Sequence, residues 1–455
     1  MVRNPSRLFF CLLLLAALQL SGFAQTQTPL RMPQLKFTDR TLANGMRVLS
    51  AVDHSSPTVA IQVWYHVGSK DDPQKRSGFA HLFEHIMFKS TKNMKSEMMD
   101  RLTEDVGGFN NAFTADDVTV YFEVVPSNYL ETLLWAEADR LSGLNVDDAN
   151  FKSERDVVKE EFRLRVLAPP YGRFFYLLEQ KSFAQHPYKR PGIGSIEDLD
   201  AASLEDVKQF HATYYRPDNA TLVVVGDFEQ KQLDTWVDKY FGPIKKPDRP
   251  LPRVDVKEPA RTKELRFTEY GTNDLPAVGL TYLAPRKADP DSAALRVADA
   301  ILSTGESSRL YNSLVYTQQL AAEADANFDA REDLGLFYII AVLAGGKKPE
   351  DAEKSLLAEI KKLQDTPVAA AELEKAKNQL ITEQLRERES SNGKALALGE
   401  AALLGDPNRV NTDLARLQAV TAADVQRVMK KYFTDQNRLV LYYLPESAKT
   451  AQEGK

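Results

Sequence analysis

Residues 203–225 read SLEDVKQFHATYYRPDNATLVVV, and residues 421–443 read TAADVQRVMKKYFTDQNRLVLYY. The two windows align without a gap at an offset of 218 residues. Asp206 matches Asp424, Val207 matches Val425, Tyr214 matches Tyr432 and Asn219 matches Asn437. Each begins with Ser or Thr three residues before Asp, a helix-start signal, and ends in a run of β-branched or aromatic residues. Each therefore reads as a capped helix, a turn and a buried strand. Further out, PTVAIQVWY from Pro57 and PAVGLTYLA from Pro276 form a second strand-like pair. The chain reads as one design used twice.

Between the copies, Pro243, Pro247, Pro250, Pro252 and Pro259 crowd a short polar stretch. Such a segment forms neither a helix nor a central strand. The expected organisation is a domain at 33–242, a linker at 243–261 and a homologous domain at 262–447. Strands are expected at 59–66, 118–125, 221–226, 277–283, 336–343 and 438–443. Helices are expected near 77–90, 127–142, 150–166, 203–214, 291–303, 350–363, 370–389 and 421–432. TVYFEVV, from Thr119, alternates in polarity, as strands do beneath helices on one face. The fold class is α+β, two homologous domains, each a mostly antiparallel sheet covered by helices.

Composition narrows the function. With 58 basic and 64 acidic residues among 455, the net charge is −6 and no basic block stands out, which argues against a nucleic-acid partner. Cys11 is the single cysteine, so a disulfide scaffold and a cysteine-ligated zinc site are both excluded. Arg3 and Arg7 precede an apolar run at 8–20, with small residues at Gly22 and Ala24. That is the order of a signal peptide cleaved near Ala24. The run is shorter than the roughly 20 residues that a spanning helix needs. The expected location is periplasmic or secreted.

The chemistry concentrates in GFAHLFEHIMF, residues 78–88. On a helix, His81 and His85 lie one turn apart and Glu84 lies beside them, so all three leave one face. Two imidazoles so placed can hold one metal ion, and the carboxylate can reach a metal-activated water. The order H-x-x-E-H inverts the common zincin motif. Phe79, Leu82, Phe83, Ile86 and Phe88 would seat the other faces in the core. A third ligand must come from another element. In NFKSERDVVKEEFRLR, from Asn150, Glu154 and Glu161 are seven apart and share a face, while Glu160 points away. His54, His66, His186 and His211 show no ligand spacing.

With the motif at 81–85 and Glu154–Glu161 downstream, the sequence resembles the pitrilysin family of zinc metallopeptidases. The resemblance is to the short two-domain branch that includes mitochondrial processing peptidase and its bacterial relatives. It implies that His81, His85 and Glu161 bind one Zn2+, that Glu84 is the general base, and that Glu154 supports the site from outside the ligands. It also implies that GGFNNAFT, residues 107–114, is more than a turn before a strand. There the family exposes a sheet edge to which a peptide substrate adds, with Asn111 and Ala112 in contact. The function implied is an exported zinc-dependent endopeptidase for peptides or unfolded segments; the alternative is a non-catalytic scaffold or peptide-binding subunit of the same fold. At the repeat offset His81, Glu84 and His85 become Asp299, Leu302 and Ser303, so the second half lacks metal ligands. Arg309, Tyr311 and Tyr316 stand where the family often has an Arg and a Tyr that reach the substrate, but the surrounding segment departs from the pattern. The family encloses its chamber with four such domains. This chain has two, which implies a homodimer or a heterodimer with a homologous subunit lacking the motif.

Overall fold

The computed structural model describes residues 33–453. The signal-peptide reading of 1–24, including Cys11, lies outside the described residues. In the first half, strands β1 (Thr38–Thr41), β2 (Arg47–Val52), β3 (Thr58–Tyr65), β4 (Phe109–Thr114), β5 (Thr119–Pro126) and β6 (Ala220–Gly226) form one sheet. Its order is β1-β2-β6-β3-β5-β4, antiparallel except for the β2–β6 pair. In the second half, β7 (Leu265–Gly271), β8 (Ala277–Ala284), β9 (Ala321–Asp329), β10 (Gly335–Leu343) and β11 (Arg438–Pro445) run in the order β7-β11-β8-β10-β9. Here only β7 and β11 are parallel. The architecture is α+β, built twice.

The helices that position the site are α1 (Phe79–Ile86), α2 (Asp148–Phe162), α3 (Gly172–Ser182) and α4 (Leu204–Tyr214) in the first half. Their counterparts below are α5 (Ser292–Ser303), α6 (Ser391–Leu403) and α7 (Ala422–Tyr432) in the second. The repeat holds at the level of single hydrogen bonds. Ser203 and Asp206 close a capping box at the start of α4, as Thr421 and Asp424 do for α7. Asn219 donates to the Tyr214 and His66 carbonyls; Asn437 donates to the Tyr432 and Leu283 carbonyls. Each asparagine ties the end of its helix to the strand beside it.

The sequence suggested helices on one face of each sheet. Instead both faces are covered, because alternate residues of the central strands are apolar on both sides and cannot face water. On one face of the first sheet, Val59, Ile61, Val63, Leu222 and Val224 pack against the half's own helices. On the other, Ala60, Trp64, Val223 and Val225 pack against Ala395, Leu398, Ala401 and Ala402 of α6, from the second half. The second sheet receives α3 from the first half, whose Phe174, Leu177 and Leu178 meet Ile340, Leu439 and Leu441. The halves thus exchange a helix. Gly399 permits this contact, since a Cβ there would lie 2.2 Å from the Trp64 indole. Truncating Leu398, fully buried at this seam, would cost about 2–5 kcal/mol.

Residues 243–261 contain no helix or strand, yet they are strapped down. Arg253 donates to the His66 carbonyl and to Asn219, and Arg261 donates to the carbonyls of Ser182, Thr281 and Asn437. Among the described residues no helix is long and apolar enough to cross a membrane.

Candidate active site

Helix α1 is held by its apolar side. Phe79, Ala80, Leu82, Phe83 and Ile86 are buried, and Phe88 packs against the same core. Its start is capped by Asp72, which accepts hydrogen bonds from the Gly78 and Ala80 amides at 2.6 and 2.9 Å. Burial pushes Asp72 up to about 7. His81, Glu84 and His85 leave the remaining face, half-buried.

Helix α2 lies against α1 and presents Glu154 and Glu161 to it, while Glu160 is exposed and pairs with Arg163. Glu161 Oε2 is 3.3 Å from His81 Nε2 and 3.4 Å from His85 Nε2. One ligand atom from each of these residues falls within a cluster no wider than 4.8 Å. Donor atoms around a tetrahedral zinc, each at about 2.0–2.1 Å, stand about 3.3–3.4 Å apart. The observed separations match that edge. Glu161 Oε2 is also buried with no hydrogen-bond partner. An orphaned carboxylate oxygen facing two imidazoles is costly unless a cation completes it. The donor set fits zinc, which favours imidazole and carboxylate in a tetrahedral shell with one place left open.

The electrostatics agree. Burial, aided by His85 and Arg165, holds His81 down to about 3, so its ring is neutral and keeps a lone pair. Burial opposes charge on His85, but Glu154, Glu161 and Glu84 raise it. Glu161 Oε1 is held by Arg165 at 2.7 Å, which leaves Oε2 to face the imidazoles. Glu154 does not join the ligand cluster. It stands behind His85, with Oε2 3.6 Å from Nδ1, and is itself held by Lys89 at 2.8 Å and by Ser153. A carboxylate behind a ligating imidazole fixes the ring's tautomer and orientation. Burial raises Glu84, and the neighbouring Thr114 side chain partly offsets this. Helix α1 packs against β4, so Glu84 stands on the helix beside that strand.

Strand β4 is the outermost of its sheet and pairs only with β5. Asn111 is exposed and Ala112 half-buried; the Ala112 amide donates to Asn111 Oδ1 at 2.8 Å, so it points off the edge. Residues 109–114 form this edge strand, at the stretch where the resemblance implied an exposed sheet edge. Of the second-half residues, Arg309 is engaged in a fork with Glu372, both contacts at 2.8 Å, while Tyr316 is 74% exposed. Asp72, Lys89, Thr114 and Arg165 carry no motif and were not singled out from sequence. Lys89 alone left a trace, being one turn beyond His85.

Residues 47–192 match the family described as Insulinase (Peptidase family M16), and residues 201–380 match the Peptidase M16 inactive domain. The chain is 31% identical to the zinc protease PqqE of Helicobacter pylori over 438 residues, covering 95% of this chain and 97% of that one. It belongs to peptidase family M16. An M16 relative in Arabidopsis thaliana, the probable mitochondrial-processing peptidase subunit beta, is 27% identical across 89% of this chain and 77% of its own. A solved protease from Helicobacter pylori superposes with a TM-score of 0.88 at 30% identity, covering 91% of this chain and all of that one. The periplasmic protease PqqL from Escherichia coli shares the M16 fold, with a TM-score of 0.71 at 19% identity, over 91% of this chain and 48% of that one.

Proposed function

We propose that this chain is an exported, zinc-dependent endopeptidase that cleaves peptides or unfolded segments. The observation that carries the reading is the meeting of His81, His85 and Glu161 at tetrahedral spacing beside Glu84, next to an open sheet edge. His81, His85 and Glu161 would hold the ion. Bound there, zinc supplies Lewis-acid polarisation of a peptide carbonyl and acidifies water. Glu84 accepts a proton from the attacking water and delivers it to the departing amine. Its raised pKa suits a group that must both take and give a proton. Glu154 orients His85 rather than touching the substrate. Asn111 and Ala112 offer backbone groups to an extended peptide, which lies as a further strand along β4. Strand addition reads backbone first, so folded proteins are poor substrates.

Export rests on the pattern at 1–24, and the periplasmic location named for PqqL supports it. Pairing is the companion proposal. PqqL has roughly double this chain's length, which supports two copies, or one copy and a motif-free partner, closing the chamber. The domain limits proposed above, 33–242 and 262–447, then count two domains per chain. The test is metal analysis of the purified chain with cleavage assays on an unstructured peptide and on a folded protein, alongside sedimentation. Near one zinc per chain, cleavage of the peptide alone and a dimer are expected. A zinc-free chain without hydrolysis would instead select the peptide-binding scaffold.

A further inference from the structure

We propose that Arg331, carried on the β9–β10 turn of the second half, is a positioning residue that clamps the β4–β5 hairpin and so sets the substrate edge. This rests on the reading of β4 as the strand to which the peptide adds.

The hairpin turns at Asp116 and Asp117, immediately after the edge strand. Both carboxylates are taken up from outside the hairpin. Asp116 Oδ1 accepts from Ser69 Oγ at 2.6 Å, and Arg331 Nη1 lies 3.0 Å from Oδ2. Asp117 Oδ1 accepts from Tyr188 Oη at 2.6 Å and pairs with Lys70 at 2.9 Å. Its Oδ2 accepts from the backbone amide of Glu332 at 2.9 Å. One turn of the second half therefore grips both aspartates, through a guanidinium and an adjacent amide.

The grip is itself fixed. Arg331 donates through Nε to Asp329 at 2.7 Å and through Nη2 to Glu179 at 2.8 Å. Its guanidinium lies 4.9 Å from the ring centre of Tyr188. Lys70 pairs with Glu332 at 2.7 Å and Asp333 at 3.1 Å, and His66 with Glu332 at 2.8 Å. Arg331, Lys70, Asp117 and Tyr188 are all buried. Charges this enclosed are expensive to leave unpaired, so the arrangement is held in one geometry. A planar guanidinium serving three carboxylates at once cannot be mimicked by a point charge.

The consequence reaches the site through two residues of chain. Asp116 follows Thr114, the last residue of β4, by two positions, and β4 packs against α1, which carries Glu84. An edge strand has no second neighbour to hold its register, so an anchor at its end decides where it lies. A loosened hairpin would misplace the edge relative to Glu84 without touching His81, His85 or Glu161.

The test uses the full chain with Asp116→Asn and Arg331→Lys. Both keep side-chain volume, whereas an apolar residue at 331 would strand three carboxylates and endanger folding. KM and kcat on an unstructured peptide, zinc content and hydrogen exchange at 109–118 are read together. For Asp116→Asn, KM rises about tenfold, as losing the buried ion-pair contact with Arg331 implies. Exchange at 109–118 quickens, and kcat and zinc content stay near wild type. Arg331→Lys moves the same way. Wild-type KM in both variants, whatever their melting temperatures, would overturn the proposal and leave the pair a purely stabilising one. A wild-type chain that hydrolyses nothing would sink the peptidase reading instead, and exchange at 109–118 would then decide the clamp alone.

Discussion

Helices α1 and α5 occupy the same place in the two halves, each beside the edge strand of its sheet, and they do opposite things with it. In the first half His81 and His85 turn to Glu161 on α2. On the edge strand β4, the Ala112 amide is met by its own neighbour Asn111. In the second half, 218 residues on, Asp299 and Ser303 stand in place of the histidines and turn to the strand itself. Ser303 Oγ donates to the Ala326 carbonyl at 2.9 Å, and Asp299 Oδ2 accepts from the Phe328 amide at 3.1 Å. These are edge groups of β9. A cavity of about 1130 Å3 lies beside α5. The second half has no histidines at these positions, and its edge is already engaged. A sheet edge is free to bind a peptide only if the side chains facing it are committed elsewhere; beside β4 the two histidines are committed to Glu161.

The largest effect should come from erasing the difference. Replacing His81 with Asp and His85 with Ser together gives α1 the side chains of α5. Zinc content is expected to fall from about one per chain to near zero, with peptide hydrolysis at background, because two carboxylates without an imidazole make a site that suits zinc poorly. Zinc retained at wild-type stoichiometry would mean that the ligands lie elsewhere. A finer cut removes only the base. Glu84→Gln should keep zinc and lower kcat by about 10²–10⁴-fold, the usual share of a general acid–base group. Turnover at the wild-type rate would pass that role to another carboxylate, with Glu154 first in line. Smaller again is Glu154→Gln, which leaves the ligands but withdraws the charge behind His85. Zinc affinity, measured by competition with a chelator, should drop about 10–100-fold. An unchanged affinity would show that Lys89 and Glu154 form no more than a structural pair.

The sequence made some of this plain and hid the rest for physical reasons. The helix–turn–strand repeat was legible because each window carries its own cap, period and asparagine tie. His81, Glu84 and His85 were legible because helical geometry alone brings them to one face. Glu161 was not separable from Glu154 by spacing, since both share a face of α2. Their roles part only where α1 crosses, one before the imidazoles and one behind. β9, AAEADANFD, has no β-branched residue and exists because β10 pairs with it. Helix α6, SNGKALALGEAAL, spreads small and apolar residues around its surface and so has no clear polar face. Its partner sheet lies in the other half of the chain. The clamp joins Asp116 to Arg331 across more than two hundred residues, and no local pattern records it.

The smallest expected effect bears on the silent half. Burial pushes the Asp299 carboxyl up to about 7, against the hydrogen bond from Phe328 and with help from Asp325. In the unfolded chain the same group titrates near its ordinary value of 3.8. Below about pH 4 both states hold the proton, and Asp299 imposes no penalty. Between about 4 and 7 the unfolded chain releases it while the folded chain keeps it, so unfolding gains ground as pH rises. Above 7 both are ionised and the penalty is constant. Asp299→Asn keeps the acceptor for the Phe328 amide and removes the titration. Its melting temperature relative to wild type should therefore climb across pH 4–7 and level off beyond, ending a few degrees higher at pH 8. A difference between variant and wild type that stays flat over that range would show that Asp299 is not carried up by burial. The comparison of the halves would then rest on the edge hydrogen bonds alone.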